Sequence, residues 1–272
     1  MRETGKNTSL AVHASGDGPT VILIHGIPGS RFTWTDVEPR LLAAGYRVVT
    51  LDLLGFGESD RPTNTESLWI EAQADAIAAA LQSRNEPAAV IVGHDYGAPI
   101  AVQFAIRYPE RARALVLASG NLFTDTPIPA ALKLVALPVI GDIAARVMFS
   151  APALRMMLWA GAGRPRPTID HENYIGDAQQ QLAIRTIFTT ALRELSGRYA
   201  PIEAALGRLD LPVSVIWGDR DPFFPVHVGR RAAFSIPGAR FHLASGAGHF
   251  LPAERADLFV EAVRHVASPV TV

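Results

Sequence analysis

A chain of 272 residues, 49% of them hydrophobic, can bury a large core as one big α/β domain or as a domain carrying a sizeable insertion. Its formal net charge of -1, without a long run of either sign, leaves no footprint for nucleic acid or an anionic membrane, so a small molecule is the expected partner. With no cysteine, disulfides, thiolate metal sites and cysteine nucleophiles are excluded.

The N-terminal stretch MRETGKNTSLAVHASGDG is polar and glycine-bearing and lacks the apolar run of a secretory signal, which makes the cytoplasm the expected location. Short β-branched runs then alternate with helical patterns: VILIHG (21–26), RVVTLDL (47–53), AVIVGHD (89–95), ALVLASG (114–120) and VSVIWGD (213–219). Continuous apolar runs of this length suit strands buried on both faces. Between them, ESLWIEAQADAIAAALQSR (66–84) predicts a helix presenting Leu68, Ala72, Ala76 and Ala80 on one face. The alternation predicts a mostly parallel sheet flanked by helices.

From about Asn121 to Tyr199 the strand rhythm stops and only helical patterns appear. This is read as an insertion at 122–199 in a core made of 1–121 and 200–272, placed over the carboxyl edge of the sheet where open α/β sheets bind ligands. IPAALKLVALPVIG (128–141) falls short of a bilayer span and is read as a helix covering a pocket, and the loop 161–174 as the mobile part. A helix at VGRRAAFSI, a last strand at RFHLAS and a closing helix at ERADLFVEAVRHV end the chain.

The strand-to-helix passage VIVGHDYGAPIAVQF (90–104) has the form of a nucleophile elbow, with Asp95 at the apex between Gly93 and Gly97. Around it stand HGIPGS (25–30), DLLGFGESDRP (52–62), WGDRDPFFP (217–225) and GAGHFLP (246–252). With these stretches the chain resembles the α/β-hydrolase superfamily from about Thr8 to Val266. The resemblance implies a mostly parallel eight-stranded sheet and an inserted helical lid. It also implies a nucleophile at Asp95, an acid at Asp221 in preference to Asp219, a base at His249, and an oxyanion hole from the backbone N–H groups of Ile27 and Tyr96. An aspartate at the elbow is similar to the epoxide hydrolases and haloalkane dehalogenases.

The apex residue sorts the chemistry. An aspartate, with an ordinary pKa of about 3.9, is ionised at neutral pH and needs no base to attack. Attack on an acyl group would give an anhydride, whereas attack on saturated carbon gives an ester, so the substrate is expected to be a small apolar molecule with an electrophilic alkyl carbon. His249, oriented by Asp221, would then activate water to hydrolyse that ester.

Tyr96 stands where the haloalkane dehalogenases hold halide with tryptophan, and Ile27 offers no amide, which moves the reading from halide toward epoxide. No arginine follows the elbow before Arg107, which disfavours haloacids. Epoxide hydrolases carry two lid tyrosines that hydrogen-bond the ring oxygen, and that resemblance assigns Tyr174 and Tyr199. His25 is expected to brace the oxyanion loop and Asp52 to fix a turn, while His94 is read as structural. Trp34, Phe123, Trp159 and Phe250 are candidates for the pocket lining. No cofactor and no metal are required, and a monomer or homodimer is expected. Haloalkane dehalogenation, another hydrolysis (ester, lactone or carbon–carbon) and a non-catalytic receptor on the same fold stay open as alternatives.

Overall fold

The structure is a computed structural model describing residues 9–128, 130–137 and 140–267. Seven strands form one sheet among the described residues, where eight were expected: β1 (Val12–Ser15), β2 (Thr20–Ile24), β3 (Arg47–Leu51), β4 (Ala89–His94), β5 (Ala112–Ala118), β6 (Val213–Gly218) and β7 (Arg240–Ala244). Their order is β1-β3-β2-β4-β5-β6-β7, and only the β1–β3 pair is antiparallel. The central strands are buried along their whole length, as their unbroken apolar runs require.

Alternation within those strands divides the core into two layers. Ile22, Ile24, Ile91, Leu115 and Leu117 face one side, and Val21, Leu23, Val90, Val92 and Val116 the other. Helices α1 (Glu38–Ala43), α2 (Ile70–Ser83) and α3 (Gly97–Arg107) follow the first strands. The buried stripe of α2 is Ile70, Ala74, Ile77, Ala78 and Leu81, with Leu68 in a preceding 3-10 turn. The bulky side chains, not the alanines at 72, 76 and 80, decide which face turns inward.

Between β5 and β6 lie a 3-10 segment (Ala130–Ala136) and helices α4 (Ile140–Met148), α5 (Ala151–Gly161), α6 (His171–Ile175), α7 (Ala178–Arg193) and α8 (Leu195–Leu206). In place of one helix covering a pocket over 128–141, the 3-10 segment leads toward α4 with Leu134, Leu137 and Ile140 exposed. Pro129, Pro138 and Val139 of that stretch lie outside the described residues. The α8 helix carries the chain across positions 199 and 200 without a break and packs on α3. Helices α9 (Val226–Ser235), α10 (Leu251–Glu254) and α11 (Ala256–Ala267) complete the fold, with α11 packing Phe259 and its neighbours, together with Trp34, on the sheet face of Val21, Leu23, Val90 and Val92. No helix among the described residues is long and apolar enough to cross a membrane.

Candidate active site

Only Asp95 and Tyr96 separate β4 from α3, so the chain must reverse direction within two residues. Asp95 takes the strain, with φ at 53° in the left-handed region. The turn is possible because its flanks are bare. A Cβ on Gly93 would run into the Gly97 carbonyl, and one on Gly97 into the Ile24 carbonyl. The Asp95 N–H still donates to the Ala118 carbonyl at 3.0 Å, which holds the apex to the edge of β5.

The two carboxylate oxygens of Asp95 have different partners. Oδ2 accepts the Ile27 N–H at 2.7 Å, and the Tyr96 N–H also donates to the carboxylate. Oδ1 faces His249 Nε2 at 3.6 Å. Burial raises the Asp95 pKa, and the pull of His249 and the two N–H donors offsets this only in part. The Ile27 N–H is aimed by a brace below it: His25 Nε2 accepts the Leu53 N–H at 3.0 Å, so Nδ1 carries the proton and donates to the Gly26 carbonyl at 2.8 Å. His25 is fully buried and its imidazole pKa is lowered by that burial, so it supports the loop and does not line a pocket.

His249 enters from the loop after β7, and Asp221 from the loop after β6. Their Nδ1···Oδ2 distance is 2.9 Å, and Oδ1 of Asp221 is held by the N–H groups of Phe223 at 2.8 Å and Phe224 at 3.0 Å. Asp221 exposes none of its side chain, whereas Asp95 keeps 12% accessible. Burial would lower the His249 pKa, but Asp221, then Asp95 and Glu254, outweigh it and raise it. Burial would likewise raise Asp221, and His249 with the two N–H donors holds it below the ordinary carboxylate value. Asp219 is elsewhere, accepting the Gly246 N–H at 2.7 Å. His94 donates from Nε2 to the His249 carbonyl at 2.8 Å. Burial pushes its pKa down to about 3, so it is a neutral structural donor.

The residues assigned to substrate contact divide sharply. Tyr199 is buried, close enough to Asp95 to feel its charge, and hydrogen-bonded to Asn121. Tyr174 is also buried, with its ring edge-on to Phe250, and the Asp95 charge that raises the Tyr199 phenol is not among the causes that raise this one, which are burial, Asp36 and Glu254. Phe250 lies against His249 with ring centroids 5.1 Å apart. Phe123 is buried under the Arg231 guanidinium, 3.9 Å from its ring. Trp34 packs on Phe259 in the opposite core layer, and Trp159 is on the outer surface beneath Arg166. Neither tryptophan reaches the site: Trp34 is claimed by Phe259 far along the chain, and Trp159 lies exposed beneath Arg166. The Tyr96 phenol donates to the Leu68 carbonyl at 2.9 Å and so points away from any leaving group.

Three contributors were not picked out from the sequence. Asn121, just past β5, has Oδ1 occupied by the Phe123 N–H and the Thr126 hydroxyl, which leaves its amide N–H for Tyr199. Gln180 on α7 accepts the Gly57 N–H at 2.9 Å and donates to the carbonyls of Gly29 and Tyr174. Glu254 takes backbone donors around His249. Position at the carboxyl end of a strand was the one available signal, and only Asn121 carried it. Among the described residues no group of three or more His, Cys, Asp or Glu is arranged to hold a metal ion.

Comparison with known proteins agrees with this architecture. The chain is 27% identical over 281 residues to a 2-hydroxy-6-oxononadienedioate/2-hydroxy-6-oxononatrienedioate hydrolase of Klebsiella pneumoniae, covering 96% of this chain and 91% of that protein. It is 36% identical over 112 residues to bifunctional epoxide hydrolase 2 of Sus scrofa, a match spanning 41% of this chain and 20% of that protein. Among solved structures, Cfl2 of Burkholderia cenocepacia superposes with a TM-score of 0.79 at 25% identity, covering 95% of this chain and 92% of the other. Residues 19–256 match the sequence profile of the alpha/beta hydrolase fold, and with the elbow, the N–H pair and the strand order in place, the chain belongs to the α/β-hydrolase family.

Proposed function

We propose that this hydrolase opens an epoxide to a diol through an alkyl ester on Asp95. The observation that carries the reading is the division of labour on that carboxylate, with Oδ2 held at 2.7 Å by the Ile27 N–H and Oδ1 turned toward His249 at 3.6 Å. Oδ1 attacks a ring carbon, the carbon–oxygen bond breaks, and its electron pair goes to the ring oxygen. That oxygen takes the proton of Tyr199, which of the two assigned lid phenols is the one whose pKa the Asp95 charge raises.

Water then attacks the ester carbon and gives a proton to His249 Nε2. Negative charge collects on Oδ2, where the Ile27 N–H already points and the Tyr96 N–H is at hand on the same carboxylate, each donor worth about 3 kcal/mol of barrier. Collapse returns the carboxylate with one oxygen from water, releases the diol on the proton from His249, and leaves one proton to restore Tyr199. Residues 122–199 serve as the lid over a core of 1–121 and 200–272, with a small apolar substrate between them.

His249→Gln should form the ester but not hydrolyse it. Incubated with an epoxide and separately with an alkyl halide, the intact protein should gain mass on Asp95 with the epoxide alone. A gain with the halide would move the reading to dehalogenation, and no gain with either would end the alkyl-ester mechanism. Carbon–carbon hydrolysis is the second reading, favoured by the near full-length match to the Klebsiella hydrolase. The acidic apex counts against it, since an acyl fragment captured by Asp95 would be an anhydride.

A further inference from the structure

Glu254, at the end of α10, takes no part in the steps above, yet three backbone donors converge on its carboxylate. Oε2 accepts the N–H of Gly248 at 2.7 Å and of Gly163 at 2.9 Å, and Oε1 accepts the N–H of Phe250 at 3.1 Å. Gly248 and Phe250 are the two chain neighbours of His249. Gly163 belongs to the strap that follows α5. The strap meets the histidine loop directly as well, through His249 N–H to the Gly161 carbonyl at 2.8 Å and Arg164 N–H to the Gly246 carbonyl at 3.3 Å. The stretch 161–164, expected to be mobile, is therefore docked. Only glycines allow this approach, since a Cβ on Gly163 would strike Glu254 Oε2 and one on Gly248 the Gly161 carbonyl.

A carboxylate this enclosed is costly to keep charged. Burial raises its pKa, the three N–H donors offset only part of that, and its charge acts on His249.

We propose that Glu254 is a positioning residue for His249, one carboxylate that clamps both neighbours of the imidazole and ties them to the strap at Gly163. The proposal rests on the reading of His249 as the base. Four groups face that imidazole: Asp221 from the loop after β6, Asp95 from the elbow, His94 from β4 and Glu254 from α10. Only Glu254 can be neutralised without touching the proposed reacting atoms.

Glu254→Gln keeps the shape but removes the charge and turns an N–H toward N–H donors. In the resting enzyme, the His249 imidazole followed by NMR should titrate at lower pH than in the wild type. In steady-state kinetics the plateau kcat should fall roughly tenfold with KM unchanged, the scale of one pKa unit. The acid limb should meanwhile move to lower pH, because a less basic imidazole stays neutral further into acid. A plain packing defect would lower the plateau without moving the limb. An unmoved His249 titration in the folded variant would overturn the proposal. Because the titration is read without substrate, it is independent of whether the epoxide reading holds. Should Glu254→Gln not fold, amide exchange in the wild type decides: Gly163, Gly248 and Phe250 should lose protection together as pH falls through the Glu254 pKa, and independent release would refute the clamp.

Discussion

Asp95 works with two unlike oxygens, and that inequality is created by its neighbours. Gly26 carries no side chain because a Cβ there would lie 2.6 Å from Asp95 Oδ2, within the space the carboxylate needs to reach the Ile27 N–H. The same residue scale bears on the proposed proton donor. Tyr199 senses the Asp95 charge and is held by Asn121, whereas Tyr174 packs its ring edge-on to Phe250 and does not sense that charge. Tyr199→Phe should therefore slow formation of the Asp95 ester by roughly 100-fold or more, the scale of general acid catalysis, and Tyr174→Phe by much less. The rate of mass gain in the His249→Gln background measures both, and equal losses would restore a two-phenol donor. That Asp95, Asp221, His249, Ile27 and Tyr96 come together was legible, since each sits in a short motif after a strand. The places of Trp34 and Trp159 were not, because the side of the sheet or helix an aromatic takes is fixed by tertiary packing, by Phe259 far along the chain for Trp34 and by the fold of the following loop, which brings Arg166 over the ring, for Trp159. Glu254 looked like an ordinary charge before a closing helix, and only the approach of Gly163 gives it a task.

At the scale of elements, strands buried on both faces are the easiest to read, because burial forces an unbroken apolar run. The edge strand β1, VHAS, escaped notice for the opposite reason: it is short and partly exposed, and only its pairing with β3 makes it a strand. The α2 stripe shifted because Ile70, Ile77 and Leu81 outbid the alanines for the core. The elbow joins two elements so closely that it tests the packing argument. Gly97→Ala should cost about 1–3 kcal/mol of stability, the range for overpacking, and abolish ester formation, because its new methyl meets a backbone carbonyl that cannot swing aside. Urea unfolding with the trapping assay measures this, and wild-type values in both would show that β4 and α3 have room to spare.

Across the whole molecule, the segment between β5 and β6 is fastened to the core on several sides. Ser30 donates to the Asn173 carbonyl at 2.9 Å, Arg231 of α9 pairs with Glu203 of α8 at 2.8 Å, and Gln180 reaches both Gly57 and Gly29. Gln180→Ala would leave the Gly57 N–H buried without a partner, at a cost of about 1–3 kcal/mol. Faster limited proteolysis between α5 and α7 is the expected result, and an unchanged cleavage rate would show that the other ties suffice. The enclosure also has a consequence for traffic. Asp221 is sealed from water and Asp95 is not, so the imidazole between them has one closed side and one open side. Under the proposed mechanism, a proton that His249 collects must leave by the face where it arrived, on the Asp95 side, and the shuttle has no back door through which to leak.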